Sequence, residues 1–509
     1  MVENKYIKSG LLMGILNNIL LVILPFTTRT IIIYKLGTEY VGLGGIFTSI
    51  LQVLSLTELG FSGAITYSLY EPLANKDTSQ VNKLLNFYRN VYRLIGTVIV
   101  IIAIALLPML NILIKGPIPA GINIYVLYLF YVINTVISYY VFSYKAVILN
   151  ANQRYDVDVS SKTLSLLVQY IVQCLVLILF NDYYLYILII PFSTLIYNIL
   201  IGFYAKRLFP NYYAKGNLSI TEIKKILKNV GGAFFSKVGQ TIFNSSDTII
   251  ISAFLGLSIL GRYQNYYYII TVLISIFAVI HNTLRPVIGN KLNIFSVEEN
   301  WFFFQKYTLI YMWLSIYVTN SLFYCLQNFE IIWTGRKNSL SLVFAMLIII
   351  LFYFTRVYSL LTVYQEAFGI WWEGKFIPII SSILNISLNI FFINHHGLNG
   401  VIIASIISNI MINIPGYIYI IFKYLFRDKN QLIWFLKYNI KIIPVLVASM
   451  FSSLIFDKFL SANNFTTLIF RFIVSNIVFI VISGIYIFID QENYELTVSI
   501  IKKVIPKNK

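Results

Sequence analysis

Apolar runs of roughly twenty residues or more recur along this 509-residue chain, separated by short polar segments. A helix of about 20 residues spans about 30 Å, the thickness of the hydrocarbon core of a bilayer. Backbone amides in lipid must find partners within their own segment, so each run reads as a membrane-spanning helix. Fourteen are expected, at 10–33, 41–69, 92–114, 122–144, 162–181, 184–205, 231–254, 258–284, 306–328, 340–362, 376–394, 398–422, 437–456 and 467–489. Composition agrees: 58% of residues are hydrophobic, 11% are charged, and mean hydropathy is +0.78. A soluble fold of this size cannot bury that much apolar surface, so the chain is expected to be an all-α integral membrane protein. The first run is too long for the core of a signal peptide and no small-residue cleavage site follows it, so it is expected to remain as the first span.

The net charge of +18 does not point to nucleic acid, because the basic residues recur in the short connections and form no groove. Their distribution is a topology signal. With the N-terminus in the cytoplasm, 28 of the 38 Lys and Arg fall in cytoplasmic segments and 6 outside. The remaining four, Arg29, Lys237, Arg356 and Arg471, lie within spans. Both termini are therefore expected on the cytoplasmic face of the membrane. Segment 363–375 opposes this trend, with one Lys against Glu366 and Glu373. Cys174 and Cys325 sit inside apolar runs and imply neither a disulfide nor a metal site.

One helical hairpin occurs twice. With one gap, Thr30 to Gly42 matches Thr248 to Gly261 at seven positions, including the Leu36-Gly37 and Leu255-Gly256 corners. A weaker echo relates Pro72–Lys76 to Pro286–Lys291. Duplication of this kind is a transporter signature. Six spans precede the basic connection Lys206–Val230, so the two copies start in the same orientation and form parallel repeats. The expected division is a six-helix lobe at 1–219, a second at 220–426, and two appended helices with a tail at 427–509. The 39 Tyr cluster near span ends, as an interfacial aromatic belt does.

Ionisable residues within spans are costly and usually face a bundle interior or water. Lys237, Gln240, Asn244 and Asp247 are spaced 3, 4 and 3, one stripe of a helix. Such a stripe walls a wet cavity or knits helices together. Arg29 occupies the repeat position matching Asp247, with Pro25 one turn before it; the alternative for Arg29 is snorkelling to the interface. Glu58 lies in helix 2 among Ser55, Ser62 and Thr66, and either binds a coupling cation or pairs with a neighbour. Arg356 is open to cavity and snorkelling readings alike. His281 and Arg285 have the spacing to meet a phosphate, although a lone His is more often structural. Arg471 is assigned to snorkelling. Gly369-Ile-Trp-Trp-Glu-Gly374-Lys375 has P-loop spacing, but Phe376 replaces the Mg²⁺-binding hydroxyl and no strand precedes it. With no zinc motif, no nucleophile elbow and short outer loops, neither enzyme activity, cofactor nor metal is expected.

Leu36-Gly37, Tyr40-Val-Gly42 and Leu56-Thr-Glu58-Leu-Gly60-Phe-Ser-Gly-Ala64 resemble the opening hairpin of bacterial polysaccharide-unit flippases. These belong to the multidrug, oligosaccharidyl-lipid and polysaccharide exporter superfamily. Further matches are Glu366–Gly369 to Pro378, Asn385, Gly397–Val401, and Asp247–Ile251 with Leu255-Gly256. The resemblance implies two six-helix lobes around a central cavity, and export of undecaprenyl-diphosphate-linked oligosaccharides from the inner to the outer leaflet. It implies an anionic lipid-linked oligosaccharide as substrate, membrane lipids and polysaccharide polymerase machinery as partners, and no nucleic acid. Arg29, Lys237 and Arg356 are the cations available to the diphosphate, and Gln240 and Asn244 a polar path for sugars. Glu58 and Asp247 are the ion-coupling candidates. The alternatives are a drug–cation antiporter or a cell-wall precursor lipid flippase of the same superfamily. A membrane glycosyltransferase or polymerase would need catalytic carboxylates on a sizeable loop. The topology has a direct test: cysteines placed at Gly121 and at Lys215 should label from opposite sides, Lys215 from the cytoplasm. Labelling from one side would break the span count at its centre.

Overall fold

The computed structural model describes residues 2–55, 61–292, 294–459 and 464–489, and every regular element among them is helical. The main helices are α1 (Val2–Lys35), α2 (Thr38–Leu54), α3 (Phe61–Ala74), α4 (Thr78–Leu106), α5 (Ile124–Tyr140), α6 (Tyr155–Leu179), α7 (Tyr183–Leu208) and α8 (Ile220–Leu255). They continue with α9 (Leu257–Leu292), α10 (Val297–Thr334), α11 (Leu342–Phe368), α12 (Ile377–Ser408), α13 (Ile414–Ile420, between two π-helical turns), α14 (Lys429–Phe459) and α15 (Phe465–Ile489).

Ten helices among the described residues are long and apolar enough to cross a membrane, or eleven if α5 and the bent segment Ser143–Ala151 form one span. The fourteen spans expected from the sequence are not reached by that measure, and the difference has local causes. The stretch Trp371–Phe426 counts once, although its 56 residues would reach about 84 Å as a straight helix. It is broken at Gly397, where φ is 55° and ψ is −136°. The polar stripe of α8 dilutes its hydropathy, and α2 is followed by residues 56–60, outside the described set.

Several helices also start well before their apolar runs, because polar residues cap them there. Asp77 accepts from the Gln80 amide at 2.9 Å and starts α4 at Thr78. Ser219 with Glu222, and Ser296 with Glu299, form capping boxes that start α8 and α10. Hydrogen bonds from Ser219 hold the Glu222 carboxyl below its usual range, so this cap contributes at neutral pH and weakens as acidification protonates the group.

The chain divides into two compact units, Met1–Gln264 and Asn265–Lys509. In the first, α1 lies along α6, α6 along α7, and α8 against α2. Side chains tie these helices where lipid offers no partner: Asn198 donates to the Ile137 carbonyl, Ser193 to that of Ser165, and Gln173 to that of Tyr186. The connection after α7 is tied to the start of α4, where the Asn82 side chain accepts from the Tyr213 amide and Asn86 donates to the Gly216 carbonyl. In the second unit, α10 is the core helix and meets α11, α14 and α15. Asn320 donates to the Ser475 carbonyl and Tyr317 to Asn476, fastening α15 to α10. Outward positions are apolar and exposed, such as Ile469, Ile473, Ile477 and Ile480 on α15.

The duplicated hairpins meet within the first unit. Gly37 and Gly256 turn the two corners at φ +117° and +85°, a region that favours glycine. Beyond each corner, the counterpart glycines Gly42 and Gly261 bring α2 and α9 to backbone contact. A Cβ on Gly42 would strike the Leu257 carbonyl oxygen, and one on Gly261 the Thr38 carbonyl oxygen. Thr38 and Leu257 are themselves counterparts in the repeat, so the contact is reciprocal. Gly42→Ala and Gly261→Ala should each lower the thermal stability of the purified protein by overpacking, a cost of about 1–3 kcal/mol. Gly14→Ala, with nothing within 4 Å of the added carbon, should be neutral or stabilising. Equal behaviour of all three would contradict the crossing.

Candidate functional site

The first unit contains a cavity of about 560 Å³ lined by Thr48, Gln52, Ser55, Asn134, Thr135, Thr241 and Asn244, with Leu51, Tyr131 and Ile190. Four helices build it: α2 supplies Thr48 and Gln52, four residues apart on one face; α5 supplies Asn134 and Thr135; α7 supplies Ile190; and α8 supplies Thr241 and Asn244. Hydroxyls and amides dominate, and none of the described residues lining it is charged. Its polar walls are held by neighbours: Ser245 donates to the Gln52 side chain at 3.3 Å, and Thr194 to that of Asn134 at 2.6 Å.

Of the stripe on α8, Lys237, Gln240 and Asn244 are exposed and Asp247 is buried. Asn244 reaches the cavity wall. Lys237 has no ion-pair partner among the described residues. Ten residues separate it from Asp247, about 15 Å along the helix.

Arg29 on α1 is half-buried and donates through Nη1 to the Gln264 carbonyl at 3.0 Å. The Gln264 side chain in turn donates to the Thr248 hydroxyl at 3.1 Å. Arg29 is thus linked through Gln264 to Thr248, the residue after Asp247, its counterpart in the repeat. Tyr183 lies near Arg29 in space, and its hydroxyl donates to the Tyr40 carbonyl at 2.8 Å, fixing α7 to α2.

A second cavity, about 440 Å³, lies among Tyr67, Glu71, Asp77, Gln80 and Glu222 near the capped starts of α4 and α8. Gln80 donates to Glu222 there at 2.6 Å.

The other singled-out residues go elsewhere. Glu58 lies outside the described residues. Arg356 is buried in the second unit, 4% exposed. Arg285 pairs with Glu366 at 2.8 Å, and His281 stacks on Tyr311, so neither stands ready for a phosphate. Arg471 corrects the sequence reading: it does not snorkel but is 1% exposed, donating to the Tyr324 carbonyl. The P-loop-like stretch forms a short helix, Trp371–Gly374, with Gly374 against the Gln365 side chain. Gln52, Asn134, Thr135 and Gln264 were not singled out by sequence, although polar residues inside apolar runs are a signal that could have found them.

No curated protein matches the chain significantly in sequence. Among solved structures, the lipid II flippase MurJ in an inward closed conformation superposes with a TM-score of 0.68 at 16% identity, over 94% of this chain and 98% of that one. An inward-facing multidrug resistance MATE family transporter of the MOP superfamily gives 0.59 at 14% identity, over 77% and 92%. A MOP superfamily transporter from Pyrococcus furiosus, described as having a binding pocket of reverse polarity, gives 0.52 at 14% identity, over 81% and 92%. Residues 7–291, more than half of the chain, match the family model described as polysaccharide biosynthesis protein. By that match, the chain belongs to the polysaccharide biosynthesis protein family.

Proposed function

We propose that this protein is a flippase that moves undecaprenyl-diphosphate-linked oligosaccharide repeat units across the bacterial cytoplasmic membrane for surface polysaccharide biosynthesis, with both termini in the cytoplasm. The observation that carries this reading is the cavity of hydroxyls and amides in the first unit. Sugar hydroxyls exchange hydrogen bonds with such a lining. An exposed Lys237 lies two turns from Asn244 on the same helix and offers the diphosphate a cation. The lipid tail stays in the bilayer, and alternating access requires no covalent step. Asp247 and Arg29 form the gate that closes one side of the path, with Asp247 or Glu58 as the coupling residue. Arg356, being buried, takes no part in holding the diphosphate. Membrane lipids and polymerase machinery are the partners of this reading.

The second reading is a cell-wall precursor lipid flippase, favoured by the superposition on MurJ. Its substrate is also a lipid diphosphate with sugars attached, so the same cations and cavity would serve. Complementation separates the two: restoration of surface polysaccharide in a flippase-deficient strain supports repeat-unit export. Rescue of a strain lacking its precursor flippase, without restored polysaccharide, supports the alternative.

Within the first reading, Lys237→Ala should lower export roughly tenfold, the scale of one lost hydrogen bond to a charged group, while the protein accumulates normally in the membrane. Normal export by that variant would leave Lys237 a structural role. Arg29→Ala and Asp247→Ala should each impair export, and the exchange Arg29→Asp with Asp247→Arg should restore part of it. Should the exchange stay inactive while Asp247→Asn loses dependence on the ion gradient, Asp247 is the coupling residue. Full export by Asp247→Asn with unchanged gradient dependence removes both roles.

A further inference from the structure

The second unit buries a cation with no acid paired to it among the described residues. Arg356 on α11 is 4% exposed, and no ion pair among the described residues includes it. Its guanidinium carbon lies 5.2 Å from the Phe277 ring centroid on α9 and 5.4 Å from that of Phe352, one turn back on α11. The rings stabilise the charge but accept no strong hydrogen bond, and the Arg356 Nε–H has no partner.

Three more polar groups lie near Arg356 in the same condition. Nε2 of His281 and the hydroxyls of Tyr307 and Tyr311 are buried and without hydrogen-bond partners. His281 stacks on Tyr311 at 5.2 Å between centroids, and Tyr307 lies 5.5 Å from Tyr311. The Tyr311 hydroxyl sits beside the Arg356 guanidinium and the Ser359 side chain without meeting hydrogen-bond geometry to either. Buried polar groups are rarely left unpaired, and four in one place mark a missing partner.

The chemistry of the four groups selects that partner. A guanidinium only donates, a phenol O–H donates readily, and an imidazole presents an N–H at Nε2 in one of its tautomers. Water could satisfy single hydrogen bonds but would leave the positive charge uncompensated in a medium of low dielectric. An anion accepts from all four and neutralises the guanidinium. Phe277, Tyr311 and Phe352 are each 1% exposed, which leaves a lipid-linked diphosphate no way in and points to a small anion.

We propose that the second unit holds a halide ion, chloride in the cell, bound by Arg356 with Tyr311, Tyr307 and His281 between α9, α10 and α11. This site is independent of what the chain transports. It makes the charge of Arg356 a fixed part of the folded unit and ties three helices through one ion.

Purified full-length protein in detergent tests it, by thermal unfolding in sodium chloride or bromide against sodium gluconate at constant ionic strength. The unfolding midpoint should rise with halide and saturate. Arg356→Met should unfold cooperatively with no halide dependence, and Tyr311→Phe should shift half-saturation to about tenfold higher halide. A midpoint that does not respond to halide, or a response unchanged in both variants, overturns the proposal. If Arg356→Met fails to fold, the Tyr311→Phe titration decides, and an unchanged half-saturation overturns it. Phosphate acting in place of chloride at the same half-saturation would also overturn it, by giving the place to a larger anion.

Discussion

Backbone contact between α2 and α9 at Gly42 and Gly261 is the constraint on which the first unit depends. Two helices whose carbonyls lie against each other's glycines have no freedom to separate by a side-chain width or to slide by one residue. Small residues at helix crossings are the usual means of close approach in lipid, where no hydrophobic force draws helices together. Here the crossing also sets the neighbours. It holds α8 beside α2, so that Thr241 and Asn244 face Thr48 and Gln52 across the cavity. It also carries Gln264, three residues past Gly261, to where Arg29 can donate to its carbonyl.

Each unit by itself is polar within and apolar without. Asn320, Asn385, Asn389, Ser405 and Gln173 are fully buried, whereas isoleucines and phenylalanines stand exposed along α14 and α15. In water this arrangement would not fold. In lipid the exposed apolar surface carries no penalty, and the interior hydrogen bonds, worth about 0.6–2 kcal/mol each, orient the helices. Carbonyls of neighbouring helices are frequent acceptors: Asn198 uses Ile137, Asn320 uses Ser475 and Arg471 uses Tyr324. A long side chain on one helix thereby reads the backbone of another.

Much of this was legible in the chain itself. Apolar runs gave the helices, and the repeat named Gly42 and Gly261 as counterparts before their contact was known. Helix starts were less legible, because hydropathy ends where polar residues begin while the helix continues until Asp77, Ser219 or Ser296 caps it. The stripe on α8 was visible from its spacing, yet Gln52, Asn134 and Thr135 were not singled out, since single polar residues in apolar runs do not declare which face they occupy. Arg471 shows the limit most sharply. Near the end of an apolar run, snorkelling and burial have the same sequence pattern, and only packing against α10 separates them.

On the reading proposed for this protein, the distribution of charge around the cavity has a kinetic sense. A carrier must hold its cargo well enough to take it up and weakly enough to release it on the other side. Neutral hydroxyls and amides serve the second need, because their hydrogen bonds are nearly equivalent to those that water offers and exchange with little net loss. A cation inside such a cavity would bind a diphosphate tightly and release it slowly. The stripe on α8 instead sets Lys237 about 15 Å along the helix from Asp247, with the neutral Gln240 and Asn244 between. Attraction at one end, neutral passage in the middle and a closable contact at the other follow from the order of residues on one helix.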